Sequence, residues 1–324
     1  MDVYFAPMEG LTDRIYRQVH RKYFPGVARY YMPFFSPTQH RELTPREARE
    51  LPEAGLEDHL AVPQVLTKNA EDFLWAAEVC RSLGYREINL NLGCPSGTVV
   101  SKGKGSGMLG DPSRMEEFLD QVFSHTPIPV SVKTRLGLND PEEFPRLLEI
   151  FNRYPISLLI LHPRVRKDFY KGPVREEWFS YAAANSLNPL IDNGNLCSPG
   201  EIDDFAKKYP QAPAVMLGRG LIGDPGMISP GGTRRDLLQK YHDELLVRYL
   251  EAFGGSRNAM FRMKEHWSYL LCRFRGAEKL GKRLRKTTDI GEYRAITAEI
   301  LETLPMEEAL NPNWQPGFSP ASAE

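Results

Sequence analysis

The chain has 324 residues, of which 41% are hydrophobic and 26% charged, and its net charge is −1. That balance is ordinary for a globular protein with ample material for a core, and a barrel of about 250 residues with a small appendage would use the length well. Four scattered cysteines (Cys80, Cys94, Cys197 and Cys272) argue against a disulfide framework or a cysteine-rich zinc site, and no run nears the roughly 20 apolar residues of a spanning helix.

At the N-terminus, Met1 to Pro7 shows no basic flank followed by a long apolar run. Neither a signal peptide nor a membrane anchor is expected there, and the cytoplasm fits best. Short runs rich in β-forming residues then recur at 3–6, 28–32, 61–66, 87–92, 129–133, 157–161, 189–192 and 214–217. Helical patterns such as 70–83 and 112–124 fall between them, the second opening on Asp-Pro as a helix start should. Eight strands alternating with helices predict an α/β fold, a TIM-type (βα)8 barrel, over 1–240. An open doubly wound sheet would want a glycine-rich fingerprint after its first strand, and Pro7-Met8-Glu9-Gly10 is not one.

In such a barrel the chemistry sits where strands end at the C-terminal face. The first strand runs into Pro7-Met8, and the third contains Gln64, whose amide suits the edge of a pyrimidine-like ring. The fourth leads into Asn91-Leu92-Gly93-Cys94-Pro95. A cysteine on a loop over the barrel mouth could serve as nucleophile, acid or base. Next, Ser101 to Met108 alternates glycine with small and basic residues, including Lys102 and Lys104. A plain linker would look similar, but the reading preferred is a mobile lid offering lysines to phosphates. The fifth strand ends in Lys133-Thr134-Arg135 and the sixth in His162-Pro163-Arg164. Lys133 leaves a strand too apolar to bury an unpaired ammonium, so it either pairs or faces an electron-rich ring, and His162 could equally be a satisfied core histidine. The turns Asn193-Gly194-Asn195 and Gly218-Arg219-Gly220 follow the last two strands. Their bare backbone N–H groups predict a phosphate cradle.

Beyond about residue 240 the strand signals stop, and helices are predicted at 241–253, 258–274 and 290–304. A small helical domain over 241–310 and a loose tail over 311–324 are expected. Residues 257–286 hold ten Lys or Arg against Glu265 and Glu278, so the segment carries +8 and the rest of the chain −9. Such concentration suggests a polyanionic partner, although a solvated helical face would look alike. At 100° per residue, Arg262, His266, Tyr269 and Arg273 share an arc opposite an apolar one. That arc is expected to present cations and a ring to RNA.

The motifs Ala6-Pro7-Met8-Glu9-Gly10-Leu11-Thr12-Asp13, Asn91 to Ser96, Lys102 to Gly107 before Asp111-Pro112, Val132 to Gly137, His162-Pro163-Arg164 with Tyr170-Lys171-Gly172, Asn193-Gly194 and Gly218-Arg219 occur in one order. Together they resemble the tRNA-dihydrouridine synthase family from residue 6 to about 225. The resemblance implies a barrel that holds FMN, draws electrons from NADPH (or NADH) and reduces the C5–C6 bond of uridine in tRNA, in the D-loop. It implies FMN contacts from Pro7, Met8, Gln64, Lys133 and His162, with the phosphate on Asn193, Gly194, Asn195, Gly218 and Arg219. It also implies that Asn91 and Cys94 face the uridine with Arg135 and Tyr170 near the substrate, and that Cys94 acts as general acid, a thiol of pKa about 8.5 being mostly protonated at neutral pH. A monomer without a metal or membrane contact is expected. Asn89 stands where the family often has Asp, and Asn195 where an acid is common. The rival readings are an FMN barrel acting on a free small molecule, in the manner of dihydroorotate dehydrogenase, and a non-catalytic RNA-binding barrel.

Overall fold

A computed structural model describes residues 1–51 and 60–308; the tail expected at 311–324 lies outside the described residues. Among the described residues there are nine strands: β1 (Asp2–Phe5), β2 (Arg29–Tyr31), β3 (Ala61–Val62), β4 (Gln64–Val65), β5 (Ile88–Leu92), β6 (Val130–Arg135), β7 (Leu159–His162), β8 (Leu190–Asp192) and β9 (Ala214–Leu217). They form one sheet in the order β3-β2-β1-β9-β8-β7-β6-β5-β4. The two ends of that order are neighbours in sequence, separated only by Pro63, which has no N–H to give a ladder. On one side Val62 O accepts from Met32 N (2.9 Å), and on the other Pro63 O accepts from Asn89 N (2.8 Å). The run at 61–66 is therefore one strand in two halves. Through it the parallel sheet returns on itself as a nearly closed TIM-type barrel.

Two compact units emerge. One comprises Met1–Pro7, Ala28–Gly194 and Phe205–Met216; the other comprises Met8–Val27, Asn195–Asp204 and the chain from Leu217 onward. In the first unit the alternation of strand side chains makes two cores. Leu90, Leu92, Val132, Leu159 and Leu161 join helix residues such as Phe73, Ala77, Leu119 and Leu147 in the layer between strands and helices. Tyr4, Ala6, Tyr31, Val62, Leu158, Ile160, Ile191, Ala214 and Met216 cluster without helix partners, which makes them the lumen of the barrel.

The second unit is helical: Arg14–Tyr23, Arg235–Phe253, Ser256–Leu270, Glu278–Lys286 and Ile290–Thr303. The first of these helices is capped by Asp13, whose carboxylate accepts from Tyr16 N at 3.0 Å. Its core is aromatic, with Trp267 Nε1 donating to Tyr293 OH (3.0 Å) and His242 Nε2 within 2.9 Å of the same oxygen. The helix expected at 258–274 ends at Leu270 and tightens into a 3-10 turn over Leu271–Arg273.

Candidate active site

Strand register puts a row of polar residues on the lumen side. Gln64 pairs with Asn89, Asn89 with Ser131, Asn91 with Lys133, and Arg135 with His162. Ladder partners point to the same side, and residues two apart share a face, so these side chains line one wall toward the C-terminal ends of β4 to β7.

The amides there are joined. Gln64 Nε2 donates to Asn89 Oδ1 (2.7 Å), Asn89 Nδ2 to Ser131 Oγ (2.9 Å), and Asn91 Nδ2 to Gln64 Oε1 (2.8 Å). Asn91 Oδ1 in turn accepts from Gly93 N (3.0 Å) and Cys94 N (2.9 Å). Asn91 therefore shapes the cysteine loop, and Gln64 already uses both ends of its amide within the wall. Asn89 works here because a neutral amide can donate to Ser131 and accept from Gln64 at once, with no charge left in the lumen.

The loop carrying Cys94 is tied from several sides. Arg135 was expected beside a substrate; it is buried instead, with Nε donating to Gly93 O (2.8 Å) and Nη1 to Val165 O (3.2 Å). Ser106 donates both N–H (3.1 Å) and Oγ (2.8 Å) to Cys94 O. Gly105, at φ +57°, sits so close that a Cβ would come within 3.0 Å of the Cys94 Cβ. These contacts correct the lid expectation. Gly105, Ser106, Met108 and Leu109 are buried in a 3-10 turn spanning Gly105–Gly110, and the glycines serve close packing. Lys102 is exposed and Lys104 half-buried. Cys94 itself is half-buried and forms no disulfide among the described residues.

Lys133 is half-buried and forms no hydrogen bond or ion pair among the described residues. Burial, reinforced by the positive charge of Arg135, lowers its ammonium to about 7, while Cys94 and Asp192 pull the other way. Buried His162 lies 2.8 Å, through Nε2, from Arg164 Nη1. A guanidinium cannot accept, so Nε2 accepts and the proton of the neutral imidazole sits on Nδ1. The Tyr170 ring lies 6.2 Å from His162 and 5.4 Å from the Arg135 guanidinium.

At the end of β8, Asn193 Nδ2 donates to Met216 O (2.8 Å), and Gly194 N donates to Asp192 Oδ2 (2.6 Å). Burial pushes the Asp192 carboxyl up to about 7. Sequence reading did not single out Asp192, Arg164, Ser131 or Ser106. Ser131 and Ser106 act through partners on another strand or loop, so only an acid beside the Asn193-Gly194 turn could have drawn notice. Pro7, closing the first unit's N-terminal segment, is half-buried.

The remaining expected residues belong to the second unit. Met8 O accepts from Leu11 N and Thr12 N in a turn (2.9 and 3.0 Å). Arg219 Nη2 donates to Asn195 Oδ1 (2.7 Å). Gly218 precedes the short helix Arg219–Gly223. Arg262 is half-buried between Glu265 (3.4 Å) and Asp13 (3.7 Å), and Tyr269 is half-buried. Arg273 and His266 depart from the predicted exposed arc. The tightening at Leu271 turns Arg273 inward to 2% exposure, where Nη1 meets Asp224 Oδ2 at 3.1 Å, and buried His266 bonds Leu11 O at 3.0 Å. Among the described residues, no helix is long and apolar enough to cross a membrane.

A family model described as Dihydrouridine synthase (Dus) matches residues 4–300. Among curated proteins, a probable tRNA-dihydrouridine synthase 1 of Synechocystis is 26% identical, covering 92% of this chain and 86% of that protein. A probable tRNA-dihydrouridine synthase of Staphylococcus aureus is 29% identical, covering 91% of each. A tRNA-dihydrouridine synthase B of Vibrio parahaemolyticus is 30% identical over 68% of this chain and 67% of its own. Among solved structures, morphinone reductase in complex with tetrahydroNAD is similar with a TM-score of 0.51 at 12% identity, over 69% of this chain and 84% of that one. At that identity the likeness is one of fold.

Proposed function

Because the chain belongs to the dihydrouridine synthase (Dus) family, we propose that it reduces the C5–C6 bond of uridine in the D-loop of tRNA, with FMN as cofactor and NADPH as electron source. The observation that carries this reading is the tethered Cys94 loop beside Lys133, an ammonium in the barrel lumen with no hydrogen bond or ion pair among the described residues. An unpaired, partly desolvated cation calls for an electron-rich or anionic group, and a flavin ring fits that need. Pro7, Met8, Gln64, Lys133 and His162 would hold the ring. Asn193, Gly194, Asn195, Gly218 and Arg219 would hold the phosphate.

When bound, the flavin supplies two electrons and a hydrogen to C6 of the uracil ring. The chain's own part is proton delivery and positioning. Cys94 holds the proton that C5 requires, on the thiol Sγ. Asn91 and Ser106 hold the backbone of Cys94 and Arg135 that of Gly93 before it, so the donor is already oriented when substrate arrives. Tyr170 offers a ring to the uridine, and Arg135 supports that ring. Lys102, Lys104, Arg262 and Tyr269 contact the tRNA, the last two within a helical tRNA-binding domain over 241–310. The enzyme acts as a cytoplasmic monomer.

The test is direct. The purified protein should be yellow, and tRNA from cells carrying the gene should contain dihydrouridine that is absent after deletion. Cys94→Ala should keep its flavin absorbance yet lose turnover on tRNA by about 100-fold or more, the scale of a lost general acid. Unchanged turnover would remove Cys94 from that role.

A further inference from the structure

Between His162 and the helix Glu176–Asn185 the chain makes a turn in which Lys171 N donates to Asp168 O at 3.0 Å. Its first central residue, Phe169, has φ +50° and ψ −107°. This is the first central position of a type II′ turn, near +60° and −120°, which glycine normally takes. The surroundings impose the conformation. Asp168 Oδ2 accepts from Val165 N (3.1 Å) and Arg175 Nη1 (2.5 Å), and Arg164 Nε donates to Gly172 O (2.6 Å). A bulky residue here gains nothing from its backbone, and Phe169 gains little from packing, being 42% exposed.

What its ring does touch is informative. The Arg166 guanidinium lies over it at 5.2 Å, and the same Arg166 donates Nε to Pro95 O at 3.2 Å. The neighbouring Tyr170, 46% exposed, is arranged in the same way: Arg135 faces its ring and donates to Gly93 O. Two accessible rings thus rest on two arginines that bond to the residues immediately before and after Cys94. Strained residues kept in place by their surroundings concentrate at functional sites.

We propose that Phe169 is a nucleobase-stacking site, which takes the base next to the uridine presented to Cys94. Extruding a base breaks its stacking on its neighbours, and an aromatic side chain replaces that stacking without regard to sequence. Arg166 ties the Phe169 ring to the loop that holds the thiol, so the neighbouring nucleotide is held in register with the reacting one. This assignment rests on the tRNA reading above.

The experiment compares flavin-loaded wild type, Phe169→Gly and Phe169→Trp for tRNA affinity at fixed salt and for thermal melting. Phe169→Gly should bind tRNA about 5- to 150-fold more weakly, the range for one lost base stack. Its Tm should hold or rise, by about 2–4 °C, because the turn position is relieved. Phe169→Trp should keep wild-type affinity and show tRNA-dependent quenching of the new indole. RNA made abasic on both sides of the modified uridine should erase the difference between wild type and Phe169→Gly. Unchanged affinity in Phe169→Gly overturns the site, as does a lowered Tm, which would make the ring ordinary packing. An unquenched indole, or a difference that persists on abasic RNA, overturns it too. A wild-type protein that leaves tRNA unbound overturns the underlying reading instead.

Discussion

The two walls of the barrel lumen are built on different terms. On the side of β1, β2, β8 and β9, the inward positions are Tyr4, Ala6, Tyr31, Ile191, Ala214 and Met216, which meet one another as apolar surface. Across β4 to β6 they are Gln64, Asn89, Asn91 and Ser131, joined by directional bonds that continue into the Cys94 loop, with Lys133 beside them. An apolar contact tolerates a change of size at modest cost, because dispersion and burial have no direction. A buried amide chain does not, since removing one member strands the partners on both sides. The polar wall is the costlier way to fill a barrel, and it ends at the thiol.

The comparison can be broken first at its middle link. Asn89→Leu removes the acceptor of Gln64 and the donor to Ser131, and should lower unfolding stability by about 2–5 kcal/mol in denaturant titrations. A loss no greater than that of a trimmed apolar neighbour would put the two walls on equal terms. A second measurement sharpens the contrast through pH. Burial holds the Lys133 ammonium near 7 in place of its usual 10.5. Below pH 7 it is already charged in the apoprotein, whereas above 7 a bound anionic or electron-rich ring must bring a proton with it. Flavin affinity, followed by fluorescence titration, should therefore be flat below pH 7 and fall by up to about tenfold per unit above it. Lys133→Met should bind more weakly and lose that slope. The smallest effect belongs to the apolar wall, where Ile191→Val should cost about 0.5–1.5 kcal/mol and leave the flavin spectrum unchanged.

Much of this architecture was legible in the sequence. The short β-rich runs fell where strands stand, because a buried parallel strand must be a compact apolar stretch. The cysteine motif stood out because a loop has little packing use for a thiol. What was not legible depends on register and on where helices stop. The amide chain appears only once Gln64, Asn89 and Ser131 are side by side on three strands. Arg273 looked exposed because periodicity was extended past Leu270, where the helix tightens and swings the guanidinium onto Asp224. The segment after Cys94 looked mobile because glycine favours both hinges and tight contacts, and composition cannot tell which. At 105 the closeness of Cys94 decides it.

The interruption at Pro63 has a mechanical consequence. β3 reaches β2 through two register pairs and β4 reaches β5 through two, whereas β5 and β6 share five. The cylinder is therefore laced shut there by short ladders on both sides of Pro63, and local opening is expected at such a seam before it is expected at β5–β6. Gln64 lies in that seam and also grips Asn91, so a momentary loosening is transmitted to the backbone that aims the thiol.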